Sequence, residues 1–237
     1  MSDMSRHNLK KNELEDFVLK IAEWIKNNRQ LAGSIAGIAG LVILLTIFVA
    51  ARYHTVRLRA DEKLAFAQAN FFQGKQQEGA AIFDEIITQY PGTNADYKAR
   101  LQKAAYLLEM QSYDEAEKVV TPVTEKGKPA NIKPMAMSLL GAIRENAGKY
   151  NEAAATYSAF LDTYPEHYYT PKIYESLARV YELSGAMDSA RSTYEKLSTL
   201  YPSTAWSARA QERISALVNA PAGSAKQSQN NQKPLDK

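Results

Sequence analysis

A Tyr-Pro pair that returns on a fixed interval constrains this chain more than any other feature. The pairs are Tyr90-Pro91, Tyr164-Pro165 and Tyr201-Pro202, with prolines 74 and then 37 residues apart. Those intervals are two periods and one period of a 37-residue repeat. Gly74, Gly148 and Gly185 hold the same register, each 17 residues before the proline position. A period of this length marks stacked supersecondary units, none of which can bury its apolar face alone. Four units follow from it, beginning near Ala60, Tyr97, Pro134 and Pro171.

Apolar spacing inside each unit has the helical period and predicts two helices of about 14 residues joined by a short turn. In the third unit Leu140, Gly141, Ala153, Tyr157, Phe160 and Pro165 share a phase that Leu177, Ala178, Ala190, Tyr194, Leu197 and Pro202 repeat in the fourth. A small residue stands where two helices cross closely and a large one where they splay. Glycine permits the turn and proline limits the second helix. The second unit departs from the pattern. Lys103 replaces an expected leucine, Lys128 occupies the proline position, and Pro122 falls inside the second helix. A proline there removes a hydrogen bond, so that helix is expected to kink or shorten around Thr121-Pro122. The last unit needs a cap, and Trp206, Ala210, Ile214 and Val218 supply one apolar face for a closing helix over Ala205 to Asn219. From Ala220 the chain is polar and rich in Pro, Gly, Ser, Gln and Asn, which predicts a disordered tail over 220–237.

Upstream, Leu31 to Ala51 is 21 residues without a charge, bounded by Arg29 and Arg52. At about 1.5 Å per residue it spans roughly 30 Å, the hydrocarbon thickness of a bilayer. The run is too long, and begins too far from the start, for a cleaved signal peptide, so an uncleaved single-span anchor is expected. Gly33, Gly37 and Gly40 place small residues along it, as in faces where membrane helices pack closely; a lone glycine-rich helix is the alternative. Within residues 1–30, Leu14, Phe17, Val18, Ile21, Trp24 and Ile25 form one apolar helical face, and Asn12 with Glu15 resembles a cap. That segment reads as lying on the bilayer surface, or as docking a partner. Lys20, Lys26 and Arg29 before the span face Arg52, Arg57, Arg59 and Lys63 after it, so charge bias leaves the orientation open.

The small, aromatic, apolar and proline phase resembles the tetratricopeptide repeat, lengthened by three residues per unit, over Ala60 to Thr204. The fold class expected is therefore all-α: one N-terminal transmembrane helix, then a tetratricopeptide α-solenoid over 57–219. The order of amphipathic segment, single span and divergent repeats resembles the YfgM-like family, an ancillary component of the bacterial Sec translocon. Asn12 to Arg29 and Arg57 to Tyr90 carry that likeness. The resemblance implies a protein of the bacterial inner membrane with a cytoplasmic N-terminus and a periplasmic repeat domain. Its implied partners are SecYEG and a periplasmic chaperone of the PpiD type.

Composition removes several other classes. There is no cysteine, hence no disulfide, lipobox or thiol nucleophile. A formal charge of +3, with both signs interleaved, gives no nucleic-acid footprint. His7, His54 and His167 lack metal-ligand spacing, and no phosphate loop or nucleophile elbow occurs. No enzyme, cofactor or small-molecule substrate is therefore expected. A binding site is expected on the face built by the first helices of the repeats. Its candidates are Leu64, Gln68 and Phe71 in the first unit, Leu101, Ala105 and Leu108 in the second, and Ser138, Ala142 and Glu145 in the third. Lys172, Glu175, Arg179 and Glu182 continue that phase in the fourth. The groove is apolar in its early units and charged in its late ones, suited to an extended or helical partner segment. Packing in the core is the alternative for Leu64, Leu101 and Leu108. The function expected is a scaffold at the translocon. The alternatives are an adaptor for outer-membrane or cell-wall assembly and, of another class, a membrane-bound hydrolase.

Overall fold

The computed structural model describes residues 16–219, and all the secondary structure among them is helical. Asn12, Leu14 and Glu15 of the N-terminal segment, and the tail from Ala220, lie outside the described residues. The chain divides into two units, Met1–Val56 and Arg57–Lys237.

In the first unit, α1 covers residues 16–27 and leaves Phe17, Val18, Ile21, Trp24 and Ile25 exposed. Helix α2 is assigned to Arg29–Phe72 and contributes its residues up to Val56 here. It is the one helix among the described residues that is long and apolar enough to cross a membrane. No neighbour lies within 4 Å of a Cβ built on Gly33, Gly37 or Gly40.

The second unit begins with the remainder of α2 and continues through α3 (Gln76–Gln89), α4 (Asn94–Glu109), α5 (Tyr113–Lys126) and α6 (Ile132–Asn146). It ends with α7 (Tyr150–Thr163), α8 (Thr170–Leu183), α9 (Met187–Leu200) and α10 (Ala205–Asn219). Each helix from α3 onward packs on the next, and α4 and α8 also touch α6 and α10, the helices that follow them by two. That is the contact order of a helical solenoid. The core runs through it as four clusters, centred on Phe83 and Ile86, on Val120 and Ile143, on Tyr157 and Phe160, and on Tyr194 and Leu197. The prolines of the three Tyr-Pro pairs follow the tyrosines that cap α3, α7 and α9.

The irregular second repeat is held by different chemistry. Lys103 is buried, and its Nζ donates to Asp84 of α3 at 2.6 Å and Glu115 of α5 at 3.3 Å. Its charge binds α4 to both neighbours where a leucine would only have packed. The expected shortening at Pro122 is corrected: α5 keeps 14 residues, the length of α3, α7 and α9. Val120 and Val123 flank the proline with no exposed surface, and the Thr121 hydroxyl donates to the Glu117 carbonyl at 2.7 Å. Burial of two valines, about 1.5 kcal/mol or more each, offsets one lost backbone bond.

The turn between paired helices needs a left-handed residue. Gly74, Gly148 and Gly185 meet that need with φ of 80°, 74° and 81°. In the second repeat the same position is Gln111, at φ 60°. A side chain in that region costs about 1–2 kcal/mol, partly offset by the extra unfolded-state freedom of glycine. Gln111→Gly is therefore expected to stabilise the chain by about 0.5–1 kcal/mol, read as a rise in the thermal midpoint of the full chain in detergent. An unchanged or lower midpoint contradicts this account of the turn.

Candidate protein-binding groove

The repeat period brings one set of positions onto the same face of successive first helices, and their chemistry changes along the solenoid. In the third repeat Glu145 of α6 accepts a hydrogen bond from the Tyr157 hydroxyl at 3.1 Å. Arg179 of α8 donates to the same carboxylate at 2.5 Å and 3.0 Å. In the fourth repeat Glu182 accepts from the Tyr194 hydroxyl at 2.7 Å and from Arg213 of α10 at 3.2 Å. Burial raises both phenol pKa values above the usual tyrosine range, and the adjacent carboxylate adds to each shift. Both tyrosines therefore remain neutral donors. Arg209 completes this end, pairing with Glu175 at 2.6 Å and lying over the Trp206 ring at 4.4 Å. A hollow of about 470 Å³ lies among Glu175, Arg179, Glu182, Tyr194, Arg209 and Arg213.

One period earlier, Glu145, Tyr157 and Arg179 correspond to Leu108, Val120 and Ala142; two periods earlier they correspond to Phe71, Phe83 and Ala105. The carboxylate and phenol are thus replaced by two aromatic rings, stacked with centroids 5.2 Å apart, and Tyr106 meets Phe71 edge-on at 5.5 Å. No arginine covers them, because its position is Ala105. The alternative cover, in the register of Arg213, is Gln102. A second hollow of about 430 Å³ results, floored by Phe71 and Phe83 and rimmed by Gln68, Phe72, Gln76, Gln102, Tyr106 and Glu109.

The predicted residues divide accordingly. Gln68, Phe71 and Ala105 meet around the aromatic hollow. Leu64 is 5% exposed and belongs to the first core cluster. Leu101 and Leu108 are half-buried against the second cluster. Ser138 and Ala142 are half-buried on α6, and Glu145 is engaged in the polar clasp just described. Sequence reasoning missed Phe72, Gln102, Tyr106 and Glu109. Phe72, 97% exposed, carried a signal, since it falls off the buried phase of its helix. Among the described residues no group of three or more His, Asp or Glu side chains is placed to hold a metal ion.

The model of the tetratricopeptide repeat-like domain family matches residues 23–218, and the chain belongs to that family. Solved structures agree on the fold. A MamA RS-1 double mutant superposes with a TM-score of 0.56 at 17% identity, covering 72% of this chain and 89% of its own. MamA from residue 41 to its end, from Desulfovibrio magneticus RS-1, gives 0.52 at 15% identity, covering 74% of this chain and 97% of its own. A putative kinesin light chain with nearly identical TPR-like repeats, from Podosopora anserina, gives 0.55 at 13% identity, with 74% and 89% covered. At such identities the likeness is one of fold alone. No curated protein matches the chain in sequence at a significant level.

Proposed function

We propose that this chain is a membrane-anchored scaffold that holds protein partners at the Sec translocon and assists secreted proteins together with a periplasmic chaperone of the PpiD type. In this reading Leu31 to Ala51 is the span, the N-terminus is cytoplasmic and the repeats stand in the periplasm of a bacterium. The chain acts by binding and catalyses no reaction. The observation that carries the binding part is the aromatic hollow between α2, α3 and α4, in a fold whose third and fourth repeats set an arginine, Arg179 or Arg213, against the residue equivalent to Phe71. The translocon part is supported by the order of segments, which is similar to that of YfgM-like proteins. Tethering raises the local concentration of groove and emerging chain, so individual contacts can be weak.

Detergent-solubilised full chain is expected to co-purify with SecYEG and a PpiD-type chaperone, and deletion of residues 57–219 to abolish chaperone recovery. Recovery of outer-membrane or cell-wall machinery instead overturns the translocon assignment and leaves the adaptor reading in its place.

A further inference from the structure

The geometry points to a specific occupant for the aromatic hollow: a partner segment that carries a large apolar side chain next to a lysine or arginine. This rests on the binding reading above and adds the chemistry of what is bound. The floor is two aromatic rings, Phe71 and Phe83, which favour an apolar or flat side chain over a charged one. The rim adds the Phe72 ring, which is 97% exposed. A ring face of this kind attracts a cation as well as apolar surface.

Glu109 is the one charged side chain among the residues that line the hollow. Glu109 lines it and has no ion pair among the described residues. The lysines adjoining Gln76 and Gln102 are paired: Lys75 with Glu78 at 3.9 Å, and Lys103 with Asp84 and Glu115. A bound cation beside the apolar anchor therefore meets an uncompensated carboxylate, whereas a bound anion is repelled. The third and fourth repeats illustrate the same preference within the chain, because Arg179 and Arg213 cover their tyrosines by pairing with Glu145 and Glu182. In the first repeat the partner supplies the covering group that Ala105 does not.

The test uses the full chain in detergent and fluorescent Ser/Gly peptides bearing a central Leu-Lys pair, with Ser-Lys and Leu-Glu controls, read by anisotropy. Leu-Lys is expected to bind best, and loss of the anchor to weaken binding by about tenfold or more. Phe72→Ser leaves the thermal midpoint unchanged, since the ring contacts solvent, and removes the binding. Ala105→Arg fills the hollow as Arg179 fills its counterpart and has the same effect on binding. Glu109→Lys reverses the order, so that Leu-Glu binds better than Leu-Lys. The inference is overturned by no binding of Leu-Lys, by binding that survives Phe72→Ser, or by an unreversed order in Glu109→Lys. It is equally overturned by a dimer in light scattering that Ala105→Arg splits, because a second copy then covers the hollow. Any of these results leaves co-purification with the translocon unaffected, so the two readings fail separately.

Discussion

Gly141→Leu is expected to destabilise the repeat domain by about 3 kcal/mol or more, the upper end for overpacking. A Cβ at this position meets three ring atoms of Tyr157 at 2.3 Å, 2.7 Å and 2.7 Å. The ring has nowhere to move: Tyr157 is 2% exposed, and its hydroxyl is held by Glu145 at 3.1 Å. Helix propensity alone argues the opposite sign, because glycine in an exposed helix is about 1 kcal/mol worse than alanine. The close crossing of α6 and α7 therefore decides the outcome. Gly79 gives an internal contrast. Its nearest neighbour is also a ring carbon at 2.3 Å, but that ring belongs to Phe71, which borders an open hollow. Gly79→Leu is expected to cost less, and a melting series of both variants in detergent reads the difference. Equal losses contradict the distinction between the closed third repeat and the open first one.

Leu108→Glu is expected to cost about 3 kcal/mol, and Ala142→Arg to return about 1 kcal/mol or more of it. Leu108 packs half-buried against the second cluster, in the position where the third and fourth repeats carry Glu145 and Glu182. Those two carboxylates are tolerated because a tyrosine hydroxyl and an arginine satisfy them. At Leu108 the equivalents are Val120 and Ala142, so a new carboxylate loses its water and gains no partner. Ala142 stands 34 residues beyond Leu108, the same separation as between Glu145 and Arg179, and an arginine there rebuilds the pair. A double-mutant cycle on thermal midpoints isolates the coupling. Simple additivity contradicts the claim that the groove changes from apolar to charged by substitution at equivalent positions.

The Tyr-Pro interval carried most of the fold, because repeat stacking turns a local pattern into a global one. Paired helices, left-handed glycine turns and a closing helix all follow from the 37-residue register. The failures came where one position was judged without its neighbours. Pro122 read as shortening or kinking its helix, yet α5 keeps its full length with Val120 and Val123 buried on either side of the proline. Lys103 read only as a departure from an expected leucine, because its acidic partners lie 19 residues before it and 12 after it, outside any local window. The groove was legible only by halves. Gln68, Phe71 and Ala105 share its phase, but the clasps between repeats run at separations of 34 and 31 residues instead of 37. A search in the repeat register alone passes over Ala105 and Gln102 as the missing covers.

Site-specific photocrosslinking in native membranes tests the central claim most directly. A photoreactive residue placed at Phe72 or Gln102, both lining the aromatic hollow, is expected to give adducts with translocon or chaperone subunits. The same probe at Lys118, exposed on the second helix of its repeat, is expected to give none. Adducts from Lys118 with none from Phe72 or Gln102 contradict the groove as the binding surface, and adducts only with outer-membrane or cell-wall machinery contradict the translocon.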